Sequence, residues 1–172
     1  MKRLMALSLL FLATSALARS GDAYILSVGP GPGVTLLTTG ISIEDAVSLR
    51  KHYGHDFLWV RRSGRDYLIR DGSFLARAHE LFAPLRELEP EQQAVAKEER
   101  ALDHEIDRLE DAADHHDRTV RDRLREAREK ERVVAERERQ LDAREDALEK
   151  VAEDALWRMV DQAIRNGTAK RD

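Results

Sequence analysis

Histidines and acids are the side chains through which this chain could do chemistry, and they gather around DHHD at 114–117: His104, Asp111, Asp114, His115, His116 and Asp117. A structural or catalytic zinc needs three or four such ligands converging on one point. Neighbouring histidines on a helix point about 100° apart, and His104 lies about 16 Å below His115, so a single helix closes no site. Two chains side by side would bring a pair of His116 side chains together. Solvated polar residues, or a local pH-sensitive weak spot, form the plainer reading. His79-Glu80-Leu81-Phe82-Ala83 and His104-Glu105-Ile106-Asp107-Arg108 both begin like the zinc-peptidase signature H-E-x-x-H but lack its second histidine. No nucleophile-elbow motif is present. The expectation is a non-enzymatic protein with no catalytic residues, no cofactor and no metal site.

A phosphate-cradling loop is the other chemistry to weigh, at GPGPG (29–33). Pro30 and Pro32 lack the N–H groups such a loop uses, no Lys-Ser/Thr follows, and the next element reads as a strand. The segment is a turn between two β-rich runs, AYILSV (23–28) and VTLLTT (34–39).

Beyond it, Ser42-Ile43-Glu44-Asp45 has the form of a capping box. The spacing of Ile43, Ala46, Val47, Arg50 and Tyr53 predicts a helix that Gly54 ends. DFLWVRRSGRDYLIRD (56–71) then reads as a hairpin turning at Ser63-Gly64. That turn pairs Arg62 with Arg65, Arg61 with Asp66, Val60 with Tyr67, Trp59 with Leu68, Leu58 with Ile69 and Phe57 with Arg70. Asp71 or Ser73 caps a second helix carrying Phe74, Leu75, Ala78, Leu81 and Phe82 as far as Pro84. The order is ββαββα.

One face of the hairpin, Leu58, Val60, Tyr67 and Ile69, is apolar and must be core. The other mixes Phe57, Trp59 and Leu68 with Arg61, Asp66 and Arg70. Two readings compete for it. Phe57, Trp59, Arg61 and Arg70 form a recognition patch, or the second helix covers Trp59 and the arginines snorkel around it.

Composition changes after residue 88. No aromatic occurs from Ala83 to Leu156, and 33 of the 54 residues between Lys97 and Lys150 are charged, so this half cannot bury a compact core of its own. Pro90 suits a first helical position, and no Gly or Pro follows until Gly167. Residues 91–166 would extend roughly 114 Å as one helix. Every seventh residue from Ile106 is apolar: Ile106, Ala113, Val120, Ala127, Val134, Leu141, Leu148 and Ala155. The companion seam of Leu109, His116, Arg123, Lys130, Arg137, Arg144 and Val151 is apolar only at its ends, which predicts a weak coiled coil. Pairs of opposite charge four residues apart, such as Glu126–Lys130, supply only ~0.2–0.5 kcal/mol each. Association along the apolar stripe is therefore expected. At the far end, Leu156, Trp157, Val160 and Ile164 gather as a docking or assembly site, and Asn166-Gly167 stops the helix.

Met1 to Ala18, MKRLMALSLLFLATSALA, has the basic start, apolar run and A-x-A ending of a secretory signal. Its about 15 apolar residues fall short of the roughly 20 that span a bilayer. Cleavage would leave 27 basic and 33 acidic residues, a net charge of −6, which argues against a nucleic-acid partner. With no cysteine, an exported chain of this kind gains its stability from packing or assembly.

LWVRRSGRDYLIRD (58–71), followed by LFAPLRELEPEQQ (81–93) and a charged repetitive helix, resembles the extracytoplasmic region of some M56-type membrane peptidases, the family of β-lactam-sensing antirepressor regulators. The stretch from Leu156-Trp157 to Asn166-Gly167 is a looser match. The resemblance carries over no catalytic residue, because the transmembrane helices and the H-E-x-x-H are both missing. It implies a free-standing accessory module involved in sensing or assembly.

Taken together, the residues predict an α+β protein: a signal peptide at 1–18, a small antiparallel ββαββα head at 19–88, a long helical stalk at 89–166 and a tail at 167–172. The expected function is that of a periplasmic or secreted interaction module. It would associate through its stalk with itself or with another protein, and have no membrane span after cleavage. A holdase-type chaperone and a metal-binding protein are the alternatives.

Overall fold

The computed structural model describes residues 21–29, 35–113 and 118–172. The predicted signal peptide, most of GPGPG and DHHD lie outside them. The chain is α+β. In order it forms β1 (Ala23–Val28), β2 (Thr35–Thr39), α1 (Ile43–Tyr53), β3 (Phe57–Arg62), β4 (Arg65–Ile69), α2 (Gly72–Glu80), α3 (Ala83–Ala113), α4 (Arg118–Arg165) and β5 (Lys170–Arg171). It divides into two compact units. One holds the sheet, α1, α2 and residues 152–172; the other is residues 83–151.

The first unit, the head, is an antiparallel sheet in the order β2-β1-β3-β4-β5. Local chemistry sets most of its elements. Ser63 and Gly64 both have positive φ, 53° and 72°, which is the backbone of a tight two-residue turn. The predicted register from Arg62–Arg65 to Leu58–Ile69 follows from it. Ser42 caps α1 by accepting from the Asp45 N–H at 3.1 Å, and Asp71 caps α2 by accepting from the Phe74 N–H at 2.7 Å.

Alternation along the strands divides the core in two. Ala23, Ile25, Phe57 and Trp59 share one face, where Ala46 of α1 joins them and Leu49 and Tyr53 pack alongside. Ile43 and Val47, whose spacing helped predict α1, are exposed. The other face carries Tyr24, Leu26, Leu58, Val60 and Ile69, all buried. α2 packs on β1, and Phe82 just beyond it meets the Tyr24 ring at 6.4 Å.

The last turns of α4 complete this second face. Leu156, Val160 and Ala163 are buried, and Trp157 stands edge-on to Tyr24 at 5.8 Å. The predicted tail is partly strand: Lys170 pairs with Leu68 and Arg171 with Tyr67, while the Asp172 N–H bonds the Asp66 carbonyl at 3.1 Å. Gly40 marks a tight crossing between β2 and α1. Its φ is +71°, and a Cβ there would lie 2.6 Å from the Asp22 carbonyl oxygen.

The second unit corrects the expectation of an uninterrupted rod. α3 ends at Ala113 and α4 starts at Arg118, and ion pairs show the two running antiparallel: Glu91 with Arg144 at 3.7 Å, and seven residues on, Glu98 with Arg137 at 2.7 Å. α3 also begins earlier than expected, at Ala83, so Pro84 takes the first-turn position and Pro90 lies inside the helix. There Pro90 costs one backbone hydrogen bond.

Leu88, Val95 and Leu102 of α3 cluster with Val134 and Leu141 of α4, and Leu148 packs against them. The physical reason is effective concentration. A helix carrying one apolar residue per heptad is marginal alone, and a tethered companion meets it without the entropy cost of bringing in a second molecule.

Candidate functional site

The predicted recognition patch is mostly core. Phe57 is 0% exposed and Trp59 2%, both beneath α1. Neither is available to a partner without opening the head. The helix that covers Trp59 is α1, not α2, because Trp59 shares the face of Ile25 whereas α2 follows the face of Tyr24. Arg61 and Arg70 snorkel as the alternative reading had it. Arg61 lies 5.1 Å from the centre of the Trp59 ring and donates to both oxygens of Asp66, at 2.8 and 2.9 Å. That pairing raises the Arg61 pKa above its ordinary value. Arg70 donates to the Tyr53 carbonyl at 3.1 Å.

A tighter polar site lies on the other side of the sheet, and sequence reading missed it. Arg62 donates through Nε and Nη2 to both oxygens of Asp161 at 3.0 and 2.9 Å, and through Nη1 to Asp22. Asp22 also accepts from the Ser63 N–H at 2.9 Å. The guanidinium lies 4.8 Å from the Trp157 ring centre. Hydrogen bonds, from Asp161 first and Asp22 next, hold the Arg62 pKa above the ordinary arginine value against the opposing effect of burial. Two turns earlier on α4, the buried Glu153 accepts from the Thr39 hydroxyl at 2.6 Å and the Tyr24 hydroxyl at 3.2 Å.

These contacts clamp the end of α4 onto the sheet. Of Leu156, Trp157, Val160 and Ile164, read from sequence as a docking site, Leu156 and Val160 are fully buried in the head, and Trp157 contacts Tyr24 and Arg62. Their partner is the chain's own head. The Asp161–Arg62 match carried no sequence signal, since it joins residues 99 apart. Arg62 is thus shared between two carboxylates, Asp161 and Asp22, while Glu153 is held by two hydroxyls, and all of these contacts fasten α4 to the strands.

Beside the clamp is an open concavity of 710 Å³ whose lining includes Arg62, Arg65, Tyr67, Asp161 and Arg165. A second, of 300 Å³, lies between the start of α2 and the end of α4, with Arg77, Gln162 and Asn166 in its lining. Among the described residues no three His, Cys, Asp or Glu side chains converge on a metal position. His104 and Asp111 are exposed on α3.

The association stripe is divided between the two units. Ala127, Val134 and Leu141 are buried, and Ile106, Val120 and Leu148 are half-buried. Ala155 belongs to the head, half-buried. The side chain of Ala113 is outside the described set.

Val134 and Leu141 of the stripe cluster with Leu88, Val95 and Leu102, which together with Leu109 form a second ridge, also spaced by seven and buried. A signal for it existed. The seam that turns polar at His116 is apolar at every step when followed backward from Leu109. Its polar continuation Arg123, Arg137 and Arg144 is an ion-pair rail, set against Glu105 at 3.4 Å, Glu98 at 2.7 Å and Glu91 at 3.7 Å. Glu110 and Arg128 add a pair at 2.7 Å.

No protein-family description, curated protein or solved structure matches this chain. No helix among the described residues is long and apolar enough to cross a membrane.

Proposed function

We propose that the protein is a non-enzymatic interaction module of the bacterial cell envelope, in which the helical hairpin of α3 and α4 is the element offered to a partner protein. The construction of that hairpin carries the reading. Two heptad ridges bury each other and two rails neutralise each other across them, so the unit spends its apolar residues internally and presents a charged outer surface. α3 alone extends about 46 Å at ~1.5 Å per residue. A surface of this kind engages partners through charge pattern, which governs encounter and specificity more than raw affinity. Export follows from the N-terminal sequence, and an accessory role in envelope sensing follows from the resemblance to M56-type extracytoplasmic regions.

Self-association through Val134 and Leu141 is disfavoured, because α3 already packs against them. A holdase needs a broad exposed apolar surface. The large apolar side chains exposed among the described residues are Ile43, Val47, Val133 and Val151, scattered over two helices.

Site-specific photo-crosslinking in the native envelope tests the reading. Probes at Arg132 and Arg139, both exposed on α4, should each give the same discrete adduct, and Arg132→Glu should weaken the one from Arg139, while a probe at Lys51 on α1 gives none. Absence of an adduct from either hairpin position, or an adduct from Lys51 alone, overturns it.

A further inference from the structure

We infer that β2 is an open pairing edge, and that it takes β2 of a second copy of this chain, laid antiparallel so that two five-stranded sheets join into one. The inference goes beyond the envelope reading and rests on nothing in the hairpin.

The two ends of the sheet are built differently. At the β4 end the chain supplies its own covering strand, only two residues long and both cationic, Lys170 and Arg171. Short, lysine-bearing edges are how folded proteins discourage further pairing. At the β1 end, β2 is the five residues Thr-Leu-Leu-Thr-Thr, with no proline and no charge. The uncharged stretch is longer than the strand: no Asp, Glu, Lys or Arg occurs from Ala23 to Ile43, in a chain that is 36% charged.

Leu37 is 4% exposed and paired with Leu26 of β1. Among the described residues, no strand and no other backbone hydrogen bond meets the outer side of Thr35–Thr38. A fixed row of peptide donors and acceptors without a guarding charge is a template for one more strand.

A second copy fits the template because the strand complements itself. Antiparallel pairing about Leu37 sets Leu36 opposite Thr38 and Thr35 opposite Thr39, so no like charges meet, and the two-fold makes both halves of the interface equivalent. Five residues bury little area, so the dimer is weak and reversible.

Sedimentation velocity of the chain from Arg19 onward, at rising concentration and paired with amide hydrogen exchange, tests this. The mean mass should move from one chain toward two. Protection of those Thr35–Thr38 amides that point away from β1 should rise with concentration while that of Lys170 and Arg171 stays constant. Thr38→Lys should weaken dimerisation by roughly tenfold or more, and Thr38→Val should preserve it, with near-ultraviolet dichroism showing that each head is folded. If Thr38→Lys unfolds the head, the exchange pattern of the unaltered chain decides. A single-chain mass at the highest soluble concentration overturns the inference. So does a dimer that a folded Thr38→Lys protein retains, or one whose added protection falls in α3 and α4.

Discussion

The head and the hairpin solve the same problem, hiding apolar side chains, by opposite means. In the head, residues distant in sequence meet across a sheet whose two faces are both covered, and Ile25, Leu26, Phe57, Leu58, Val60 and Ile69 are 0% exposed. In the hairpin, one residue per heptad from each helix forms a thin seam. The ion pairs beside it have side chains roughly half exposed, as in Glu98–Arg137 at 49% and 47%. Exposed pairs of this kind contribute ~0.2–1 kcal/mol each. A dense core gives one cooperative structure, whereas a thin seam gives a structure that opens locally. The two are also separable by spectroscopy. No Phe, Tyr or Trp lies between Ala83 and Val151, so near-ultraviolet dichroism reports the head while far-ultraviolet dichroism is dominated by the long helices.

The largest expected effect lies in the head. Phe57→Ala removes a fully buried ring and should cost about 3–5 kcal/mol, read as collapse of the near-ultraviolet signal at a lower urea midpoint. An unchanged midpoint would mean that Phe57 is not core. Leu141→Ala in the hairpin should cost about 2–3 kcal/mol, the low end of the range for leucine truncation, since the thin seam relaxes into solvent. Far-ultraviolet dichroism should lose helix while the near-ultraviolet signal stays. Simultaneous loss of both would show that the two units unfold together.

A smaller effect is set by pH. The Tyr53 hydroxyl donates to the Asp172 carboxylate. That hydrogen bond first, then burial and the nearby negative charge, raises the Tyr53 pKa from its ordinary 10.0 to about 12. The folded head thus favours the neutral phenol. The stability this contributes is fully present below pH 10 and is lost as pH rises toward 12. Asp172→Ala should bring phenolate absorbance forward into that window, and Tyr53→Phe should remove the same increment. Identical titrations of the unaltered chain and Asp172→Ala would refute the contact. Smallest of all is the rail. Glu98→Arg should destabilise the hairpin by ~0.2–1 kcal/mol, less at high salt, and Arg137→Glu added to it should restore the loss. A double variant no better than the single one would show that the pair does not couple.

Which features could be read without coordinates follows from how local their causes are. The Ser63-Gly64 register, the caps at Ser42 and Asp71 and the stop at Gly54 each depend on residues within a few positions of one another. Failures came where a residue's environment is set from far away. Phe57 and Trp59 look like a mixed surface until α1 is known to cross that face. Arg123, Arg137 and Arg144 look like a spoiled seam until Glu105, Glu98 and Glu91 are placed opposite. The Arg62 clamp was not foreseen because neither Asp22 nor Asp161 stands near Arg62 in the chain.

By itself, the order of residues determined the α+β class, the ββαββα succession, the strand pairing across Ser63-Gly64 and the presence of a seven-residue apolar repeat, because periodicity, turn chemistry and capping act over a few residues. Only the tertiary structure decided that the repeat finds its companion within the same chain, that the end of α4 closes the sheet, and that residues 170–171 cover the β4 edge. Those outcomes depend on which distant surfaces meet, and a one-dimensional pattern of polarity says what must be buried without saying against what.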